Sequence, residues 1–256
     1  WDLYDDSTIT VPDNPQPPKN VPDVALHNSR EILRAAEGKL TDAQIIELRT
    51  GYLAGISYLD AQLGKVLAEL DRLGLREKTI IVFWSDHGFH LGEHGLWCKT
   101  SNFENDARVP LMISVPHMKT AGKTSDALVE LLDMYPTLVE LCELDSPGKL
   151  EGTSLVPVLK DPTQSVKPAA YTQHPRPAYY RKQPENMGVS VRTPRYRYTE
   201  WRNFKTGKVI ARELYDHTSD PEENTNIINE STDRADFQAA VKLLEAQFPR
   251  KKHNLQ

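Results

Sequence analysis

The sequence predicts an α/β layer followed by a small α+β domain, and three observations carry that prediction. The run from Thr79 to Trp84 is β-branched or aromatic throughout, as in a strand buried on both faces of a parallel sheet. Ahead of it, apolar residues recur at three- and four-residue steps from Asp42 to Leu73, the signature of a long amphipathic helix. After about residue 165, short strand-like runs separated by turns precede a closing helical pattern, which reads as an antiparallel sheet with one helix on a face.

At 256 residues the chain is long enough for one or two domains. Its composition, 39% hydrophobic and 26% charged, is that of an ordinary globular protein. A net charge of −5 argues against a nucleic-acid-binding coat, so an anionic ligand needs a local group of cations. No apolar run is long enough to span a bilayer. Cys98 and Cys142 form neither a C-x-x-C nor a zinc pattern. The sequence opens on Trp1 with no basic leader and no signal-like apolar core, and it reads as the later part of a longer polypeptide.

Residues 1–39 are rich in proline and acid, with Pro12, Pro15, Pro17, Pro18 and Pro22. They are expected to run as an extended surface segment. The long helix then starts with Thr41 and Gln44 in a capping box and ends at Gly74. Gly51 and Gly55 within it suggest an element packed close by. Val109 to Val115 reads as a second buried strand, and Thr124 to Cys142 as a helix kinked or broken by Pro136. Ala169–Gln173, Gly188–Thr193, Tyr196–Trp201 and Glu213–Asp216 are the short strands, and Ala235–Gln247 the closing helix. The expected organisation is therefore a first domain over 1–165 and a small domain over 166–256.

Asp86 and His87 arrive where the Thr79–Trp84 strand should end, the end of an α/β strand at which ligands collect. A carboxylate and an imidazole side by side suit a metal ion, but they do not choose it: calcium prefers oxygen throughout, whereas zinc accepts both donors. Either ion needs further ligands. Gly88, Gly92 and Gly95 follow, allowing positive φ and a close backbone approach while bringing His90, Glu93, His94 and Lys99 into one neighbourhood. Lys99 closes the loop thirteen residues after Asp86, and its ammonium suits a sulfate or phosphate oxygen and the charge that builds in a transition state.

The pattern S-D-H-G-x-x-L-G-E-H-G-x-W-x-K over Ser85–Lys99 resembles the metal and sulfate loop of the formylglycine-dependent sulfatases, in the alkaline phosphatase superfamily. Gly51–Gly64, Leu132–Leu138, Gly152–Pro157 and Glu213–Glu222 are similar to the later two thirds of a sulfatase, in the same order. Gln173-His-Pro-Arg-Pro177, Met187–Thr193 and Arg195–Thr199 narrow the resemblance to the iduronate 2-sulfatase branch and its bacterial relatives.

The resemblance implies the C-terminal part of an alkaline-phosphatase-like α/β sulfatase domain, followed by a small α+β domain. It implies hydrolysis of a sulfate ester by a hydrated formylglycine, with the 2-O-sulfate of a uronic acid in glycosaminoglycan oligosaccharides as the expected target. Asp86 and His87 would then be metal ligands, with Ca2+ the expected ion and Mg2+ or Zn2+ the alternatives. Lys99 would be the catalytic, sulfate-binding cation. His174 and Arg176 would face the sugar, Arg176 through the uronate carboxylate or a neighbouring hydroxyl, and His94 would support the site by hydrogen bonding. No serine or cysteine of the sequence fits the C/S-x-P-x-R motif from which formylglycine is made. The nucleophile, and with it the rest of the metal shell, is therefore expected on an N-terminal portion of the same enzyme, the chain's principal partner and one without which it would be inactive. Neither nucleic acid nor a membrane span is expected. The resemblance also implies export, to a periplasm, outside the cell or to a lysosome. The competing readings are a phosphodiesterase or phosphonate hydrolase of the same superfamily, and a non-catalytic carbohydrate-binding fragment. Asn229-Glu-Ser231 fits a glycosylation acceptor.

Overall fold

The computed structural model describes residues 2–27, 30–33, 39–146, 148–230 and 234–250. Trp1 and Ser231 lie outside the described residues. The chain divides into two compact units that interleave along the sequence rather than meeting at a single cut.

The first unit holds residues 2–17, 30–33, 39–99 and 108–118. After a four-residue helix α1 (Arg30–Leu33) comes the long helix α2 (Asp42–Arg72). Its start is fixed by a reciprocal cap: Gln44 N donates to Thr41 Oγ1 at 3.3 Å and Thr41 N to Gln44 Oε1 at 2.9 Å. Gly74 follows with φ of 65°, the left-handed conformation that ends helices and that glycine adopts without a Cβ penalty. The close neighbour expected from the glycine spacing is absent at Gly55, where a Cβ would meet nothing within 4 Å. The same helix leaves Ile56, Leu59 and Val66 49%, 55% and 65% exposed.

Strand β1 (Ile81–Trp84) leads into two short strands, β2 (His90–Leu91) and β3 (Trp97–Cys98), which pair with each other, and β4 (Leu111–Ser114) returns beside β1. The expectation of a parallel strand buried on both faces is corrected here. β1 pairs antiparallel with β4, Ile81 opposite Ser114 and Trp84 opposite Leu111. Among the described residues no third strand flanks this ladder, so Trp84 and Met112 are 44% and 58% exposed. A two-stranded ladder is marginal in water by itself.

The second unit holds residues 18–27, 100–107, 119–146, 148–230 and 234–250. It contains the short helix α3 (Glu104–Ala107), helices α4 (Met134–Leu141) and α5 (Val156–Lys160), four strands and the closing helix α6 (Ala235–Gln247). The helix expected from Thr124 starts much later. Glu130 and Asp133 cap one another around a single 3-10 turn, Leu131–Asp133, and Pro136 sits in the first turn of α4, where its missing N–H has no intrahelical partner to lose. Proline thus marks a start rather than a kink.

Strands β5 (Ala170–Arg176), β6 (Asn186–Arg192), β7 (Tyr196–Asn203) and β8 (Val209–Asp216) form one antiparallel meander in sequence order. Side chains alternate between its faces. Val189, Val191, Tyr196, Tyr198 and Leu214 pack with Phe237, Ala240 and Leu244 of α6. The other face carries Arg197, Thr199, Trp201, Glu213 and Tyr215, which with Ala25, Asn102 and Phe103 line a small pocket. Trp201 and Tyr215 are each only 1% exposed, so the sheet is buried on both faces.

Residues 1–39, expected as an extended surface segment, are partly anchored where they are described. Pro12, Pro18 and Ala25 are buried, and 3-10 turns form at Asp6–Thr8 and Asp23–Ala25. Lys19 bridges to Thr225, and Asn226 Nδ2 donates to Asn20 O at 3.0 Å. The prolines fix an irregular path whose main-chain polar groups find partners within the protein. No described helix is long and apolar enough to cross a membrane.

Candidate functional site

The loop from Ser85 to Lys99 is built by the first unit. Two of its glycines are required by geometry. Gly92 has φ of 104°, and a Cβ there would lie 3.1 Å from Pro12 Cγ and 3.2 Å from the Trp97 ring; Gly95 has φ of 69°. Glu93 then ties the loop down, accepting from Leu91 N at 2.6 Å and from Arg49 Nη1 of α2 at 3.1 Å. His94 is 2% exposed with φ of 57°, and its N–H donates to Asn14 O at 2.7 Å. Its ring stands 5.8 Å from that of His90, which is also buried.

Asp86 and His87 follow β1 directly and face solvent, their side chains 75% and 37% exposed. His87 Nδ1 lies 2.7 Å from the Gly88 carbonyl. A carbonyl can only accept, so in the neutral ring Nδ1 carries the proton and Nε2 keeps its lone pair. That Nε2 stands 3.8 Å from Asp86 Oδ1. Two donors each about 2.4 Å from one cation must lie within about 5 Å of each other, and this pair meets the condition. The residues fit half of a metal shell, open on its outer side.

Lys99 does not pair with Asp86 or His87. Its Nζ is bound by both carboxylate oxygens of Glu31 in α1, at 3.0 and 3.1 Å. Sequence reasoning missed Glu31 because the segment that carries it read as a connector.

His174 and Arg176 belong to β5 in the second unit. Burial, then the neighbouring Arg176 charge, push the His174 imidazole down to about 4 against the pull of Asp106, so the ring is neutral near pH 7. Arg176 is 6% exposed, and its guanidinium donates to main-chain carbonyls of Val24, Leu26, Thr100, Pro175 and Ala25 at 2.6–3.1 Å while lying 4.9 Å over the Trp201 ring. Here the fork that suits a carboxylate satisfies loop carbonyls.

Glu104, His217 and Glu223 also bring ligand-type atoms within 4.8 Å of one another. Their charge is already matched. Arg197 pairs with both Glu104 and Glu223, the latter at 2.7 Å, and Arg192 reaches Glu104 at 3.3 Å. Burial opposes ionisation of Glu223, but Arg197 and His217 outweigh it and hold the carboxyl down at about 2. The two carboxylates are the anionic half of an ion cluster in which His217 Nε2 also lies 2.8 Å from Glu223.

Comparison with known proteins shows the family. The sulfatase family model matches residues 5–144, and the model described as N-sulphoglucosamine sulphohydrolase, C-terminal, matches residues 92–251. Iduronate 2-sulfatase of Mus musculus is 33% identical over 90% of this chain and 54% of its own length. A solved 2-O glycosaminoglycan sulfatase superposes with a TM-score of 0.78 at 25% identity, over 93% of this chain and 51% of that one. A protein solved with its substrate D-glucosamine-2-N,6-O-disulfate superposes with a TM-score of 0.70 at 29% identity, over 86% and 45%. The chain thus spans about half the length of the relatives it matches.

Proposed function

The chain belongs to the sulfatase family, and from that premise we propose that it contributes part of the metal and sulfate site of a sulfuric ester hydrolase acting on the 2-O-sulfate of a uronic acid in glycosaminoglycan oligosaccharides. The observation that carries the reading is the exposed Asp86–His87 pair, with Nε2 and Oδ1 3.8 Å apart, at the head of a loop that closes on Lys99. The iduronate 2-sulfatase and 2-O glycosaminoglycan sulfatase likenesses support the choice of sugar position.

In this reading Asp86 and His87 hold a divalent ion, Ca2+ on the family pattern, and the nucleophile and remaining ligands come from an N-terminal portion of the same enzyme. A bound ion would polarise the sulfate, and a formylglycine on the N-terminal portion would supply the nucleophile. This chain's own contribution is electrostatic and positional. Lys99 places its ammonium on a sulfate oxygen and stabilises the charge that builds as the S–O ester bond breaks. Gly88 O holds the His87 proton on Nδ1 and so keeps Nε2 available as a ligand. His94 packs beneath the loop, and His174, neutral near pH 7, offers a hydrogen bond to the sugar. The exposed apolar residues of α2 and the unpaired edges of the β1–β4 ladder are surfaces on which an N-terminal portion would pack. An enzyme of this kind meets its substrate outside the cytosol, by export or in a lysosome.

The test uses the complete enzyme. Hydrolysis of aryl sulfate should exceed that of aryl phosphodiester, and a 2-O-sulfated uronate disaccharide should be preferred to a 6-O-sulfated glucosamine. Lys99→Ala should lower turnover by about two orders of magnitude or more, as loss of one transition-state donor does. Near-normal turnover would remove Lys99 from the site.

A further inference from the structure

Lys99 is the single lysine of the Ser85–Lys99 loop. The residues on either side, Cys98 and Thr100, are both non-glycine with positive φ, 67° and 99°. Such backbone is strained and persists only where the surroundings impose it, commonly at functional sites. Cys98 is locked into the β2–β3 ladder opposite His90, and α1 lies against β3. From α1 the Glu31 carboxylate reaches 68 residues along the sequence to take the Lys99 ammonium with both oxygens.

We propose that Glu31 is a positioning residue for Lys99, holding its ammonium in a two-oxygen grip and leaving the outer N–H for an incoming sulfate oxygen. The inference rests on the reading of Lys99 as the sulfate-binding cation. Stability does not account for the pair: the side chains are 33% and 43% exposed, and exposed ion pairs contribute little. Orientation does. A free lysine side chain has many rotamers, and a carboxylate that removes this freedom before substrate arrives lowers the cost of binding the transition state. An ammonium has three donors, so a carboxylate on one side leaves the open side to an anion. The second consequence is electrostatic. Glu31 neutralises Lys99 at rest, which weakens retention of free sulfate, the dianionic product.

The test begins on this chain with inorganic sulfate as probe and acetic anhydride labelling of Lys99, quantified by peptide mass spectrometry. Glu31→Gln should raise Lys99 labelling several-fold relative to the exposed Lys205 and lower the sulfate concentration that protects it. Glu31→Asp, which keeps the charge, should leave that concentration near the wild-type value. In the complete enzyme Glu31→Gln should lower kcat about tenfold, a loss typical of misplacement, with tighter inhibition by sulfate, whereas a merely structural residue would leave sulfate inhibition alone. Unchanged labelling with unchanged kcat overturns the proposal. A large loss in Lys99→Ala beside an unaffected Glu31→Gln overturns this inference alone; full activity in Lys99→Ala overturns both it and the sulfate reading.

Discussion

Trp201 Nε1 donates a 2.6 Å hydrogen bond to Glu213, a carboxyl that is 2% exposed and, among the described residues, has no ion-pair partner. The Tyr215 hydroxyl donates a second bond at 2.8 Å. The sheet therefore buries an acid supported by neutral donors only, ten residues before Glu223, an acid that is ion-paired with Arg197.

The two acids respond to pH in opposite ways. Burial, aided by the Glu223 charge, pushes the Glu213 carboxyl up to about 7, against its two hydrogen bonds and the more distant Arg176. Its folded value lies above the unfolded one, so the stability it brings is present below about 4.5 and is lost as pH rises through about 7. For Glu223, held at about 2, stability is present above about 4.5 and is lost as pH falls toward 2. Urea unfolding of the chain should show greatest stability in mildly acid solution. Glu213→Gln, which can still accept from Trp201, should flatten the decline between pH 4.5 and 7. It should recover up to roughly 3 kcal/mol at pH 8. An unchanged pH profile would mean that Glu213 is ionised throughout.

The contacts of Arg176 lead to a different prediction. Its guanidinium spans carbonyls of three successive residues, Val24, Ala25 and Leu26, and that of Thr100. Arg176→Ala strands these buried acceptors at about 1–3 kcal/mol for each group left unsatisfied, so the variant should unfold at markedly lower urea concentration. Any activity that survives in the complete enzyme should fall equally on aryl sulfates and on uronate sulfates. A selective loss on uronate sulfates would restore Arg176 to the substrate.

Much of the fold was legible in the sequence. Periodicity and turn residues marked the meander, whose four strands each lie at or within a few residues of the predicted runs, and the closing helix has the predicted bounds, Ala235–Gln247. The α2 cap was readable because its two residues are neighbours in the chain. What failed depends on contacts remote in sequence. An apolar run such as Thr79–Trp84 says that a strand is buried, not which way its partner runs, and β4 supplied an antiparallel neighbour. A proline-rich stretch says that no regular element forms, not that its carbonyls go unclaimed; Arg176 claims them from 150 residues away. The site divides on the same line. Asp86 and His87 were visible as adjacent residues after a strand, whereas Glu31 sits 68 residues from the lysine that it holds, and no local pattern could have announced it.

The donor set at the head of the loop also makes the identity of the ion testable. Asp86 brings a hard oxygen and His87 Nε2 a nitrogen better suited to zinc than to calcium. An asparagine in place of His87 would offer an amide carbonyl, an oxygen ligand that calcium accepts and zinc disfavours. His87→Asn in the complete enzyme should therefore retain calcium, with affinity changed by less than about tenfold, because one of six to eight ligands is exchanged for another that the ion tolerates. Zinc affinity should drop much further, since a four-coordinate ion loses its nitrogen donor. Calcium and zinc titrations of the metal-free enzyme, wild type and variant, measure both directly. If calcium binding vanishes while zinc binding was the tighter at the start, the resident ion is zinc, and the lone pair that Gly88 keeps on Nε2 is its anchor.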